Sequence, residues 1–151
     1  MPAPKEGSED ANSTTEDALA NTAVLSCYDF AGQDVYYPTH SLFVTSRSIY
    51  LVMFSLKDLE GSRVEYWLQM VQAKAGYSSP VVIVATHEDH RSVDRSTIAE
   101  TLAQVKKKYS RFAFVKGVVS ISSKTGAGVH NLRKQIVSLA LSHATMKEQV
   151  P

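Results

Sequence analysis

The chain has 151 residues, 44% of them hydrophobic and 21% charged, with a net charge of +1. That length and balance suit one globular domain with its own core, and give no electrostatic reason to expect a nucleic-acid or membrane-surface partner. A single cysteine, Cys27, excludes an internal disulfide and points to a reducing, cytoplasmic setting, and no apolar run approaches the ~20 residues of a transmembrane helix.

The opening segment stands apart. Residues 1–20 hold five acids (Glu6, Glu9, Asp10, Glu16, Asp17) and one base (Lys5), a net of −4 against +5 for the remainder. They contain no aromatic or β-branched apolar residue and no apolar signal-peptide core, so residues 1–21 are expected to be a disordered acidic tail. Strands and helices then alternate through a domain expected at 22–145, with a short tail at 146–151. Residues 23–28 read as a strand with Cys27 buried inside it, and 34–44 as a loop able to wind into a short helix. The run SIYLVMFS, 48–55, is continuously apolar, as expected of a strand covered on both faces. A helix is predicted over 62–75 from the stripe Val64, Trp67, Leu68, Val71 and Ala75, with Gly76 as its stop. PVVIVAT, 80–86, is another buried-type strand. A helix over 96–109 places Ile98, Leu102, Val105 and Tyr109 inward. A strand over 115–121 and a helix over 129–143, with Leu132, Ile136 and Leu139 inward, complete the pattern. Alternating β and α with apolar strands predicts an α/β fold, a mostly parallel sheet with helices on both faces.

In such sheets ligands gather at the carboxyl ends of the strands. Three of these ends carry polar signatures: Asp29-Phe30-Ala31-Gly32-Gln33, Thr86-His87-Glu88-Asp89 and Ser122-Ser123-Lys124. Each has an ordinary alternative, as a turn after a strand, a solvated polar loop or a helix-entry loop whose hydroxyl caps the next helix. Other constellations are weaker. His87, Asp89 and His90 lack the i, i+4 spacing of a helical metal pair, and Gly126-Ala127-Gly128 lacks the third glycine of a dinucleotide fingerprint. Lys106-Lys107-Lys108 reads as the solvated face of an amphipathic helix. A nucleophilic enzyme built on Cys27 would need a nearby base and an accessible thiol.

The order and spacing of the three strand-end motifs resemble those of a Ras-like GTPase. The stretch DFAGQDVYYPTHSLFVTSRSIYLVMFSL narrows this to the Roc domain, the Ras-of-complex module of the Roco proteins, over roughly residues 22–145. Tyr36, Tyr37, His40 and Phe43 follow the switch, and Thr86, His87 and Asp89 replace the usual Asn-Lys-x-Asp. The resemblance implies a Ras-like G-domain that binds GTP and GDP with Mg²⁺ in intracellular signalling. Asp29 would hold the metal through water, and Gly32 would offer its N–H to the γ-phosphate. Gln33 would orient the attacking water. Asp89 would accept from guanine N1–H and the 2-amino group, with Thr86 and His87 bracing the loop and flanking the base. Ser122 and Ser123 would present backbone N–H groups to guanine O6, and the stem of Lys124 would lie over base and ribose. Relatives pair the module with a COR-type domain or a dimer partner, so protein partners are expected.

One part of the pattern is missing. A phosphate-binding loop has the form GxxxxGK[ST]. Upstream of Gly32 the only glycine is Gly7 and the only lysine is Lys5. The sequence therefore predicts a G-domain without its first strand and phosphate cradle, weak in nucleotide binding and hydrolysis. The family's first strand would lie between residues 23–28 and 48–55. In its absence the two strands close up, a partner supplies a strand, or a longer gene product carries it. The alternative function is a non-catalytic scaffold that presents Tyr36, Tyr37 and Phe43 to a protein partner.

Overall fold

The computed structural model describes residues 25–30, 43–59 and 61–142. Its framework is set by β-branched runs. Strand β2, Val81–Thr86, has the sequence VVIVAT, and its first five side chains are buried. Such a strand is stable only between two neighbours, and it has them. Strand β1, Tyr50–Ser55, pairs with it in parallel from Tyr50↔Val81 to Ser55↔Thr86. Strand β3, Val115–Ser120, pairs on the other side, with a register shift between Val81 and Val82. The described sheet has the order β1-β2-β3, all parallel, as an α/β reading requires.

The period of two along β2 divides the core. Val81, Ile83 and Ala85 join Leu68, Val71, Phe112 and Phe114 on one face, while Val82 and Val84 join Ile121 and Leu132 on the other. Helix α1, Val64–Ala75, supplies the first face through Val64, Leu68, Val71 and Ala75 at three- and four-residue spacing. It ends at Gly76, whose φ of 78° lies in the region that glycine adopts without a Cβ clash. Helix α2, Arg95–Lys108, starts at Asp94, whose carboxylate accepts from the Ser96 N–H at 2.9 Å. It is amphipathic but shallow: Leu102 and Val105 are partly buried, and none of its residues is fully buried. Tyr109, at its end, is buried with Phe112 and Phe114. Helix α3, Val129–Ser142, covers the second face through Leu132, Ile136 and Leu139.

Three expectations are corrected. Residues 25–28 are not a strand: 25–30 lie outside regular structure, with Leu25 48% and Tyr28 70% exposed. A strand needs ladder partners, and among the described residues β1 pairs only with β2. Cys27 is consequently exposed, where burial was expected. The run around β1 is covered on one face only. Val52 and Phe54 are buried, but Leu51 and Met53 are 39% and 53% exposed, so its continuous apolarity does not reflect two packed faces. The expected short helix within 34–44, the acidic tail and the C-terminal tail lie outside the described residues, apart from Phe43 and Val44, which are not helical.

Candidate functional site

Parallel pairing brings the carboxyl ends of all three strands to one edge, so the polar residues that follow them are neighbours. The loop after β2 is anchored from its first residue. Thr86 Oγ1 donates to the Phe54 carbonyl at 3.1 Å. Next to it, His87 Nδ1 lies 2.9 Å from Thr86 Oγ1 and 3.1 Å from Ser55 Oγ. Because a carbonyl can only accept, the Thr86 hydroxyl proton is committed to Phe54. The Nδ1 contact then requires the proton on Nδ1, which leaves Nε2 of the neutral ring as an acceptor. His87 adopts φ 64°, in the left-handed region unusual for a side-chain-bearing residue. The chain there turns back, with the His90 N–H on the His87 carbonyl at 3.0 Å, which aims Asp89 across toward β3.

Asp89 meets the loop after β3. Ser122, fully buried, donates its hydroxyl to Asp89 Oδ1 at 2.5 Å and accepts from the Thr125 N–H at 3.0 Å. The Ser122 hydroxyl beside Asp89 holds the carboxyl below its ordinary value, with smaller help from Lys124 and His87. The Ser122 amide is already used, donating to the Ala127 carbonyl at 3.0 Å. It cannot serve a ligand as expected, so Ser122 contributes its hydroxyl instead. Ser123 and Lys124 are exposed beyond it. The turn closes on Gly126 and Gly128, at φ 79° and 72°, and a Cβ on Gly128 would lie 2.1 Å from the Ser120 carbonyl oxygen. The first helical bond of α3 runs from the Leu132 N–H to the Gly128 carbonyl, so the hydroxyls of 122–125 sit upstream of the cap.

Thr86, His87, Asp89, Ser122, Ser123 and Lys124 thus share one edge. Asp29 lies in an exposed segment outside regular structure. Gly32, Gln33, Tyr36, Tyr37 and His40 lie outside the described residues. Among the described residues, no three His, Cys, Asp or Glu side chains cluster as a metal centre. A hollow of about 440 Å³ opens beside Asp89, between Ile98 and Leu102 of α2 and Thr125. Sequence reasoning missed Ser55. Its only signal is a hydroxyl at the end of an apolar run, meaningful once β1 is known to end beside β2.

Comparison with known proteins decides the family. The family model described as "Ras of Complex, Roc, domain of DAPkinase" matches residues 6–89, more than half of the chain. The chain belongs to the Roc family. The match begins inside the acidic opening segment and ends at Asp89. The Roc sequence is 38% identical over 129 residues to the probable serine/threonine-protein kinase pats1 of Dictyostelium discoideum, covering 84% of this chain and 4% of that protein. It is 40% identical over 120 residues to the probable serine/threonine-protein kinase roco5 of the same organism, covering 76% and 4%. The cyclic GMP-binding protein C of that organism is 33% identical over 137 residues, covering 90% and 5%. The chain therefore spans less than a tenth of each of these relatives. Its fold resembles that of Methanosarcina barkeri Roco2 RocCORdC bound to GDP, with a TM-score of 0.60 and 24% identity over 79% of this chain and 34% of the other. The architecture is that of a Ras-like Roc G-domain, a small-GTPase-like module.

Proposed function

We propose that this Roc chain reads a guanine base through the loops after β2 and β3. The contact that supports this reading is the hydrogen bond from Ser122 to Asp89. It joins the two loops and leaves the second carboxylate oxygen, Oδ2, as an acceptor for the paired N–H donors of guanine. Adenine lacks that donor pair, and a carboxylate left unmatched rejects it. The exposed Ser123 supplies the remaining amide for guanine O6, and the stem of Lys124 covers the base. His87 flanks it. The nucleotide would be GTP or GDP, in keeping with the GDP-bound Roco2 neighbour.

The phosphate side is weaker. Asp29, exposed and carboxylate-bearing, fits a water-mediated Mg²⁺ contact. Bound there, the ion would supply charge neutralisation at the phosphates. Gly32 and Gln33 would offer an N–H and orient a water. The sequence upstream of Gly32 has neither the glycine pair nor the lysine of a phosphate cradle. Base contacts without that cradle give weak binding and little turnover in this chain. The setting is intracellular signalling in the cytoplasm, with a COR-type domain or a second Roc as protein partner; no described helix is long and apolar enough to cross a membrane.

Titration of the chain with fluorescent GDP tests this. A Kd in the micromolar range or weaker, lost on Asp89→Asn, is expected, while a nanomolar Kd would overturn the weak-binding reading. A scaffold role is favoured by Phe43, which is 56% exposed and 6.0 Å from the Phe30 ring. Partner capture that survives both Gln33→Ala and Asp89→Asn in a chain with no measurable GDP binding would establish it.

A further inference from the structure

From residue 101 to residue 142 the chain carries eight Lys and Arg residues and no Asp or Glu. This run forms the β3 side of the molecule: the second half of α2, the aromatic turn, β3 and α3. All eight cations are exposed. Four of them form a belt at the end of α2 and the start of β3. Lys106, Lys107 and Lys108 close α2. Lys116 sits at the start of β3 with its ammonium on the Ala113 carbonyl at 3.0 Å, beside that helix end. Gln135 of α3 donates to the Lys116 carbonyl at 3.3 Å, and Arg133 and Lys134 are exposed at other angles round that helix.

Among the described residues the belt is not neutralised locally: of the eight, Arg111 alone has a described ion pair, with Glu65 of α1. The nearest acid upstream, Glu100, accepts from Gln104 at 3.3 Å. Lys108 lies 5.3 Å from the Tyr109 ring centroid, a contact that orients the cation without cancelling its charge. So many like charges on one edge repel one another and favour an acidic occupant.

The chain itself contains one. We propose that the acidic segment 1–20, with its five carboxylates and net charge of −4, docks on the basic belt formed by the end of α2 and the start of β3. Charge complementarity supports this occupant, and reach permits it. Twenty extended residues span up to roughly 70 Å, while the described sheet is only three strands wide. Docking of this kind is loose and salt-sensitive, made of several exposed pairs. It is independent of whether the carboxyl edge of the sheet binds a nucleotide.

Carbodiimide coupling of the whole chain at low ionic strength, read by peptide mass spectrometry, tests the proposal. Amide links from Glu6, Glu9, Asp10, Glu16 or Asp17 to Lys106, Lys107, Lys108 or Lys116 are expected within the monomer. Their yield should not depend on protein concentration, and should collapse near 1 M salt, where the Debye length is about 3 Å. Links found only between molecules would assign the belt to a second copy. Links spread equally onto Lys57 and Lys74 would reduce the contact to random collision. A second measurement needs no coupling chemistry. In the variant E6Q/E9Q/D10N/E16Q/D17N, Lys106–Lys108 should acetylate about threefold faster than in the parent chain, as expected when several surface pairs are removed together, with Lys57 and Lys74 unchanged. Equal rates would overturn the proposal and leave the belt free for an unrelated polyanion.

Discussion

Asp89 is kept ionised by its neighbours, and that gives a pH dependence with a definite sign. Its carboxyl lies below the ordinary value of 3.8, first because Ser122 donates to it and then through its own backbone N–H, Lys124 and His87, against an opposing effect of desolvation. A depressed carboxyl stabilises the fold above the unfolded value and loses that contribution as pH falls through the folded one. The junction of the two loops should therefore be lost only as pH falls below the ordinary carboxyl value of 3.8. An NMR titration of the Asp89 side chain checks this: the midpoint should rise toward 3.8 in Ser122→Ala, and a midpoint unmoved by that change would remove Ser122 as the cause. The His87 tautomer is a second handle at the same scale. Thr86→Val deletes the acceptor at 2.9 Å, so ¹⁵N spectra should show the His87 proton moving from Nδ1 toward Nε2. An unchanged tautomer would mean that Ser55, at 3.1 Å, suffices alone.

At the scale of elements, packing and backbone geometry separate what a sequence displays from what it hides. Helix α1 was legible because its buried residues recur at helical spacing and Gly76 ends it; β2 was legible because VVIVA cannot stand at a surface. The site's loops were legible as polar ends of apolar runs, and the structure brings Asp89 and Ser122 together. Local pattern failed where partners decide. AVLSCY has strand composition, yet residues 25–28 find no described ladder, and YLVMFS looks doubly covered although Leu51 and Met53 are not. The committed amide of Ser122 was also hidden, since it depends on a turn through Gly126 and Gly128. That turn gives the element-scale prediction. Gly128→Ala sets a Cβ 2.1 Å from the Ser120 carbonyl oxygen at φ 72°. About 1–3 kcal/mol of stability should be lost in chemical denaturation, together with the Ser122–Asp89 contact. Leu68→Ala, at a fully buried site on α1, should cost about 2–5 kcal/mol without moving the Asp89 titration.

Among the described residues the two ends of the sheet differ in charge. Around β3 lies the acid-free belt; at the opposite end of the described sheet lies β1, an uncharged strand with Leu51 and Met53 exposed. Strand edges without charge, proline or a cover recruit further strands, and exposed apolar side chains add a hydrophobic reason to associate. The β1 edge is therefore expected to favour self-association of this chain. Leu51→Thr with Met53→Lys keeps a residue compatible with a strand at the first position and places a gatekeeping charge at the second. Because both side chains are exposed, stability should stay within about 0.5 kcal/mol of the parent. The weight-average mass in sedimentation should fall toward the monomer as the edge loses its attraction. Unfolding of the double variant would instead show that this face is buried in solution by something that Leu51 and Met53 help to hold. Self-association left unchanged would move its origin elsewhere, and the tyrosines and phenylalanines around the switch would become the next surface to alter.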